Sequence, residues 1–400
     1  VRVAQQGCGS PTRPHNTKGG VHQGAAFCFA VPTPPPACTG APNLTDPTVA
    51  HLNRIATAIP ANDVHAAFLN FARATLTDPR ARRLFDRMAD RSGVAHRFSH
   101  LVPAAFDGPA LDTTGFYRRG AFPTTARRMQ AYEQQATELA VQAVEKLDPG
   151  PITHLIVASC TGFTAPGIDQ RLAERLQLGG ALKRTLVGFM GCYAAVPALR
   201  LAQQAVLADP TARVVVVMLE LCTLHLQETQ DIETVLSFLI FGDGAAAVLV
   251  TAEPEGFALH RFHAATIPGT QDHITWRIGD QGFDMHLSGK VPGAIAAALR
   301  LEADRNDEDG IMAGQDPASI ALWAVHAGGR TVLDAVEQGL RLPTHALDTS
   351  RAVLHDVGNV SSATIGFVLE RMLASDCDGP GMAIAFGPGL CAETFQFSRA

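Results

Sequence analysis

The sequence predicts an α/β protein made of two related halves, and three observations carry that expectation. The first is an alternation of short apolar runs with helical periods between residues 154 and 250. His154-Leu-Ile-Val-Ala-Ser159, Lys183 to Met190 and Ala212-Arg-Val-Val-Val-Val-Met-Leu-Glu220 have strand length. Helical spacing separates them, from Ile168 to Leu176 and from Cys192 to about Ala208. Strands that are apolar throughout need cover on both faces, so the sheet should lie between helical layers. The second observation is a repeat of that theme: helix from Val291 to Leu301, strand from Ser319 to Val325, helix from Thr331 to Gly339, strand from Gly381 to Phe386. The third is a pair of glycine turns, Phe241-Gly242-Asp243-Gly244 and Phe386-Gly387-Pro388-Gly389, placed as if in duplicated halves that face each other. No short-period repeat is present.

Totals narrow the function. The chain has 400 residues, 46 % hydrophobic and 18 % charged, enough for one large domain or two coupled ones with a sizeable core. A net charge of −6 and a pI near 6.2, with no long Lys/Arg runs, argue against a nucleic-acid binder or a polybasic membrane anchor. No apolar stretch reaches the roughly 18 residues of a membrane span. Cys8, Cys28, Cys38, Cys160, Cys192, Cys222, Cys377 and Cys391 include no Cys-x-x-Cys pair and no accompanying His spacing, so no metal site is expected. They are too sparse for a disulfide scaffold, which points to a reducing, cytoplasmic setting with most thiols packed and one reactive.

Taken in order, residues 1–48 are rich in Gly, Pro, Thr and Gln, contain Pro34-Pro35-Pro36, and read as a disordered or loosely docked extension. The apolar patch from Gly24 to Val31 is too short for a convincing secretion signal. Folded sequence begins near His51, with an N-terminal half over 49–254 and a C-terminal half over 255–400. Val64 to Ala74 and Arg80 to Arg91 are helical. The second has Leu84, Phe85 and Met88 on one face and Arg82, Arg83, Arg87 and Arg91 largely away from it, either a solvated basic face or a phosphate patch. Thr124 to Lys146 is a long helix. Phe241 to Val250 forms a strand after its glycine turn. Ala352 to Asp356 leads to Gly358-Asn359, Ser361 to Leu373 forms a small-faced helix, and Glu393 to Phe397 a last strand.

Chemistry gathers at three strand ends. Cys192 follows an apolar strand and a tight Gly191 turn and stands at or near a helix N-terminus, where partial positive charge favours thiolate. A buried core cysteine is the plain alternative. His326 and Asn359 are placed as if just past strands too, where α/β folds put their sites. A cysteine nucleophile needs an imidazole partner, and a carboxamide can donate to a developing oxyanion without acting as a base. Alone, His326 could be a turn histidine and Gly358-Asn359 a turn dipeptide. Their joint placement favours a site.

Five motifs then fall in one order: Gly191-Cys192-Tyr193-Ala194-Ala195, Phe241-Gly242-Asp243-Gly244-Ala245-Ala246, Trp323-Ala-Val-His326-Ala-Gly-Gly329, Gly358-Asn359-Val360-Ser361-Ser362 and Phe386-Gly387-Pro388-Gly389-Leu390. From about His51 onward the chain resembles type III polyketide synthases of the chalcone and stilbene synthase superfamily, bacterial type. The resemblance implies a thiolase-like fold of two pseudo-duplicated α-β-α-β-α halves and a homodimer. It implies that an acyl-CoA starter is loaded on Cys192 and extended by decarboxylative Claisen condensation with malonyl-CoA. The product would be an alkylpyrone, alkylresorcinol or related phenolic, and no cofactor is expected beyond the CoA thioester substrates. His326 and Asn359 match the residues that bind the thioester carbonyl and stabilise the enolate, and Phe241 matches the gatekeeper. Arg87 and Arg91 match CoA-phosphate contacts, while Leu84 lacks the charge of a third. Gly387-Pro388-Gly389 matches a loop that shapes the cavity, and Ser361 a serine beside the cysteine.

Departures bear on substrate. Cys160, Cys222 and His225 stand in the cavity wall where plant chalcone synthases commonly have Thr, Met285 where they often have Phe, and Ala165 for a Met at the dimer-facing loop. The segment from Ala158 to Gly167 is similar to bacterial members, many of which accept aliphatic starters. His225 is a packed polar residue or a shaper of cyclisation, and Cys160 and Cys222 line the wall. A ketoacyl synthase III-like enzyme using malonyl carrier protein shares the Cys, His, Asn order and is the nearest rival. A papain-like hydrolase has that order too but not the repeated buried strands. A homologue that only binds acyl-CoA is opposed by the intact triad.

Overall fold

The computed structural model describes residues 48–305 and 307–400. The extension expected before that point, its apolar patch from Gly24 to Val31, and Cys8, Cys28 and Cys38 lie outside the described residues. The chain begins with β1 (Ala50–Ala58), the short β2 (Asn62–Asp63), α1 (His65–Thr75), α2 (Pro79–Asp90), the short β3 (Phe98–Ser99) and the long α3 (Thr125–Leu147). Next come β4 (His154–Ser159), α4 (Ile168–Arg175), β5 (Lys183–Gly188), α5 (Ala195–Ala208), β6 (Val214–Leu221), α6 (Ile232–Ser237) and β7 (Asp243–Thr251). The second half holds β8 (Phe257–Thr266), the hairpin β9 (Ile274–Gly279) and β10 (Gly282–Leu287), α7 (Val291–Arg305), β11 (Leu322–Val325) and α8 (Arg330–Gly339). It ends with α9 (Asp348–Val357), α10 (Thr364–Leu373), β12 (Pro380–Gly387) and β13 (Cys391–Arg399).

Alternation along the buried strands sets the layers. In β6, Val214, Val216 and Met218 pack with α5 and α10, whereas Val215, Val217 and Leu219 face α3. In β12, Ala383 and Ala385 join the α5–α10 core, whereas Met382, Ile384 and Phe386 face α7 and α8. Helices α5 and α10 are therefore held between the strands of the two halves, with α3 and the α7–α8 pair outside. This is the expected α-β-α-β-α layering. The strands run in the order β11-β12-β13-β8-β1-β7-β6-β4-β5. The halves join where β1 pairs with β8 over a short ladder from Ala50↔Leu259 to Leu52↔Phe257. Among the described residues no helix is long and apolar enough to cross a membrane.

Two readings need correction. Asn359 does not follow a strand: residues 348–357 form α9, whose buried Ser350, Val353, Leu354 and Val357 keep helical spacing. The run Ala352-Val-Leu is short enough to fit either period. Strand β1 was not expected, because Asn53 and Arg54 interrupt its apolar pattern. Asn53 sits at a bulge and is nevertheless buried, its amide donating to the Glu253 and Glu255 carbonyls and its Oδ1 accepting from Thr251.

Candidate active site

The nucleophile turn comes first. β5 ends at Gly188, and Phe189 (φ 58°) and Gly191 (φ 81°) both take the left-handed conformation before Cys192 leads into α5. Gly191 is required twice over, by its φ and by space: a Cβ there would lie 2.6 Å from Pro388 Cγ. The Gly387-Pro388-Gly389 loop thus sits directly on the turn, and a Cβ on Gly387 would reach 2.5 Å from Tyr193 Cδ1. Gly191→Ala is expected to cost about 2 kcal/mol or more. A thermal melt several degrees below wild type, with acyl loading impaired, checks it.

Around the sulfur, Ser361 Oγ donates to Cys192 Sγ at 3.4 Å and lies 3.2 Å from Cys160 Sγ. Ser361 itself has φ 47°, held by its N–H donating to Asn359 Oδ1 at 2.8 Å. Beneath them Glu220 is fully buried and accepts from Cys160 N, Thr161 Oγ1 and Ser362 Oγ. Burial pushes its carboxyl up to about 7. Burial likewise pushes the Cys192 thiol up to about 11, with the Glu220 charge adding to it and the Ser361 hydroxyl opposing it. This desolvation opposes the help expected from the helix end.

His326 continues the ladder past β11, its N–H donating to the Ile384 carbonyl at 2.8 Å. The residue is 1 % exposed, and neither ring nitrogen has a hydrogen-bond partner. Burial drives its pKa down to about 4, so the imidazole is neutral. Asn359 is fixed through its backbone, its N–H donating to the Ile240 carbonyl and its own carbonyl accepting from Gly242 N–H. With Oδ1 occupied by Ser361 N–H, its Nδ2 is left as a donor, 3.4 Å from the Gly328 carbonyl. Phe241 is bridged to Asn359 and is buried, and buried Arg97 donates to the Phe238 and Phe241 carbonyls at 2.8 Å. Ser361 therefore links Cys192 to Asn359, and Gly328 links Asn359 to the His326 turn. A buried imidazole without a partner and a carboxamide with a second N–H beyond the one given to Gly328 are the equipment for receiving an oxygen that gains charge.

Two cavities flank this centre. One, of about 890 Å³, is walled by Leu84, Met88 and Arg91 on one side and by Gly328, Gly329 and Arg330 on another, and reaches Ile240, whose carbonyl holds Asn359. Arg91 lines it, whereas Arg87 is exposed on α2 outside the lining. Arg330 was not singled out from the sequence; a cation directly after His326-Ala-Gly-Gly was the available signal. The other cavity, of about 310 Å³, is largely apolar, with Phe68, Phe71, Leu101, Phe238, Phe241 and Cys222 in its walls.

The remaining candidates have other surroundings. His225 is fully buried, its Nε2 donating to the Thr161 carbonyl at 2.7 Å, its Nδ1 accepting from Phe283 N–H, and its ring stacked 4.2 Å from the Phe283 ring. Burial takes its pKa down to about 3, so it is a packed neutral histidine. It belongs to an aromatic cluster with Phe163, Phe189, Trp276 and Phe283 that sequence reasoning missed, because its members come from four separate segments. Trp276 Nε1 donates to the Cys160 carbonyl at 3.2 Å, and half-buried Met285 pairs with Trp276 across the β9–β10 hairpin. Cys160 is buried beside Ser361. Among the described residues no group of three His, Cys, Asp or Glu is placed to hold a metal ion.

Comparison with known proteins agrees with this architecture. Residues 44–254 match the family model for the N-terminal domain of chalcone and stilbene synthases, and residues 258–399 that for the C-terminal domain. The alpha-pyrone synthesis polyketide synthase-like Pks18 of Mycobacterium tuberculosis is 30 % identical over 371 residues, covering 88 % of this chain and 91 % of its own. Bisdemethoxycurcumin synthase of Oryza sativa is 32 % identical over 333 residues, covering 77 % and 81 %. The crystal structure of PKS-I from the brown alga Ectocarpus siliculosus superposes with a TM-score of 0.78 at 26 % identity, covering 90 % of this chain and all of that one.

Proposed function

The chain belongs to the chalcone and stilbene synthase family, malonyl-CoA-dependent condensing enzymes, and from that premise we propose that it builds a polyketide on Cys192 from an aliphatic acyl-CoA starter. The observation that carries the reading is the buried, unpartnered His326 ring together with the Asn359 amide, which keeps a second N–H beyond the one given to Gly328 and is joined to Cys192 through Ser361.

In this reading Cys192 passes its proton to the neutral His326 as Sγ attacks the starter thioester. CoA leaves with that proton, and the acyl group stays on sulfur. Malonyl-CoA then enters with its thioester carbonyl toward His326 and Asn359 Nδ2. The bond to its carboxylate breaks, CO₂ departs, and the electron pair becomes an enolate whose oxygen those donors stabilise. The enolate carbon attacks the acyl carbonyl and Cys192 leaves as thiolate, giving a chain longer by two carbons on CoA. The Cys192 thiolate then attacks that thioester, CoA leaves, and the extended chain returns to sulfur for the next round. An apolar site favours loss of the solvated carboxylate. Glu220 does not compete, because its oxygens are occupied by Cys160, Thr161 and Ser362.

Arg87 and Arg91 are assigned to the CoA phosphates at the mouth of the larger cavity. The smaller cavity, between Cys222 and Phe241, is assigned to the starter's tail, since its walls offer mainly hydrocarbon. A homodimer is part of the same reading: β5 is an edge strand, with Phe163 and Leu186 exposed. Mass spectrometry of products from malonyl-CoA and acyl-CoAs of graded chain length tests the function. Pyrone or resorcinol products are expected, and their absence with every starter would reject it. Ala67→Phe, which puts a ring into the smaller cavity from α1, should shift preference to shorter starters by about ten-fold in relative kcat/KM, on the order of one or two lost methylene contacts. An unchanged chain-length profile would show that the tail lies elsewhere.

A further inference from the structure

We infer that the starter received by the smaller cavity carries a neutral oxygen on its aliphatic tail, a ketone or a hydroxyl, which accepts a hydrogen bond from Arg97. The inference rests on the polyketide reading and on the assignment of this cavity to the starter's tail, and it names the class of tail.

Arg97 lines the cavity beside Phe241 and is 3 % exposed. Its side chain is held on three sides. Nε donates to His65 Nδ1 at 2.9 Å, and Nη1 donates to the Phe238 and Phe241 carbonyls at 2.8 Å each. The guanidinium carbon lies 4.5 Å from the centre of the Phe68 ring. Burial and the Arg97 charge take the His65 pKa down to about 4, so that ring is neutral and can accept. These contacts tie α1 to the turn that carries Phe241, and they account for Nε and Nη1. Nη2 is buried and has no hydrogen-bond partner. It carries two N–H donors, and a buried donor left unmade is destabilising.

The other buried polar groups of the cavity wall are satisfied. Ser99 and Thr223 share a hydrogen bond of 2.7 Å, and Thr223 donates in turn to Asp243. The Tyr117 hydroxyl donates to the Thr223 carbonyl, and Asp112 accepts from the N–H groups of Thr114, Phe116 and Tyr117. Among the described residues that line the cavity, Arg97 Nη2 is the one buried side-chain nitrogen or oxygen without a partner. A single open donor in a hydrocarbon wall is how a pocket fixes the orientation of an otherwise apolar ligand.

Charge decides between a neutral oxygen and a carboxylate. Burial pulls the Arg97 pKa down to about 10, and the Asp63 and Asp243 charges oppose that fall, so the guanidinium is protonated at neutral pH. The ion-pair contacts of those two carboxylates are with His96 and His100 instead. Two carboxylates already act on one guanidinium, and a third on the ligand would be repelled by both. What Nη2 lacks is an acceptor, not a counter-charge.

The test measures kcat/KM with malonyl-CoA as extender for acyl-CoA starters of matched length. The set holds the saturated chain, chains with one ketone at successive carbons beyond the β-position, and a chain ending in a carboxylate. At the position that meets Nη2, the ketone should raise kcat/KM by about ten-fold over the saturated chain, the scale of a hydrogen bond to a charged donor. At other positions it should lower the value, because the ketone loses water without gaining a partner. The carboxylate should fall below the favoured ketone. Arg97→Lys keeps the charge but not the forked donor, and should bring the ketone-to-saturated ratio to within about two-fold of unity. Reading a ratio cancels any general loss from loosening the Phe241 turn. If a thermal melt shows that the variant does not fold, the wild-type scan decides alone. A scan with no ketone above the saturated chain would overturn the inference. So would a ketone preference that survives in Arg97→Lys, or a carboxylate preferred to every ketone. Product from the saturated starter with a flat scan rejects this inference alone, whereas no product from any starter rejects the proposed function and this inference with it.

Discussion

Cys192→Ala is expected to abolish acyl loading while leaving the fold intact. The starter has no other attachment point in the proposed scheme, since Cys160 and Cys222 are buried, and burial pushes both thiols well above their usual range. The substitution removes one sulfur from a half-buried position and the bond from Ser361, so stability should change by only about 1 kcal/mol. Intact-mass measurement after exposure to an acyl-CoA should show a single added acyl group on wild type and none on the variant. Release of CO₂ from malonyl-CoA should persist in the variant, because His326 and Asn359 rather than Cys192 face the enolate. Retained condensation in Cys192→Ala would remove the nucleophile from the scheme.

Loss of the donors should have the opposite signature. His326→Gln and Asn359→Ala are each expected to cut malonyl-CoA decarboxylation by about 10²–10³-fold, the scale of losing one preorganised donor to a developing oxyanion. Asn359→Asp is the sharper variant. It keeps an oxygen to accept from Ser361 N–H, so the local backbone retains its support, but it replaces the Nδ2 donor with an acceptor. Its loss should equal or exceed that of Asn359→Ala. Radiometric or infrared detection of CO₂ measures all three, and unchanged release would take these residues out of their assigned roles.

The α/β halves were legible because several strands are uninterrupted hydrocarbon. The ends of β4 were read directly from the run His154 to Ser159, which is apolar but for its termini and is covered on both faces. Where burial is bought with side-chain hydrogen bonds, as at Asn53 in β1, the pattern of apolar residues conceals the strand. α9 was misplaced for a related reason: three apolar residues in a row satisfy a strand and a helix alike, and only packing decides between them. The positions of Cys192, His326 and Asn359 were marked by glycine turns and by motif order. Their protonation was not, since the thiol is raised and the imidazole lowered by desolvation, which depends on what the rest of the chain buries around them. The packing of His225, Trp276 and Phe283 into one aromatic cluster was hidden in the same way, by contacts between distant segments.

The most direct measurement of the central claim is peptide mass spectrometry of the protein quenched first after an acyl-CoA and then after malonyl-CoA. The starter acyl group should appear on the peptide containing Cys192, and that adduct should grow by two-carbon ketide units once malonyl-CoA is added. An adduct on another cysteine, or one on Cys192 that never extends, would contradict the assignment of Cys192 as the sulfur on which the chain is built.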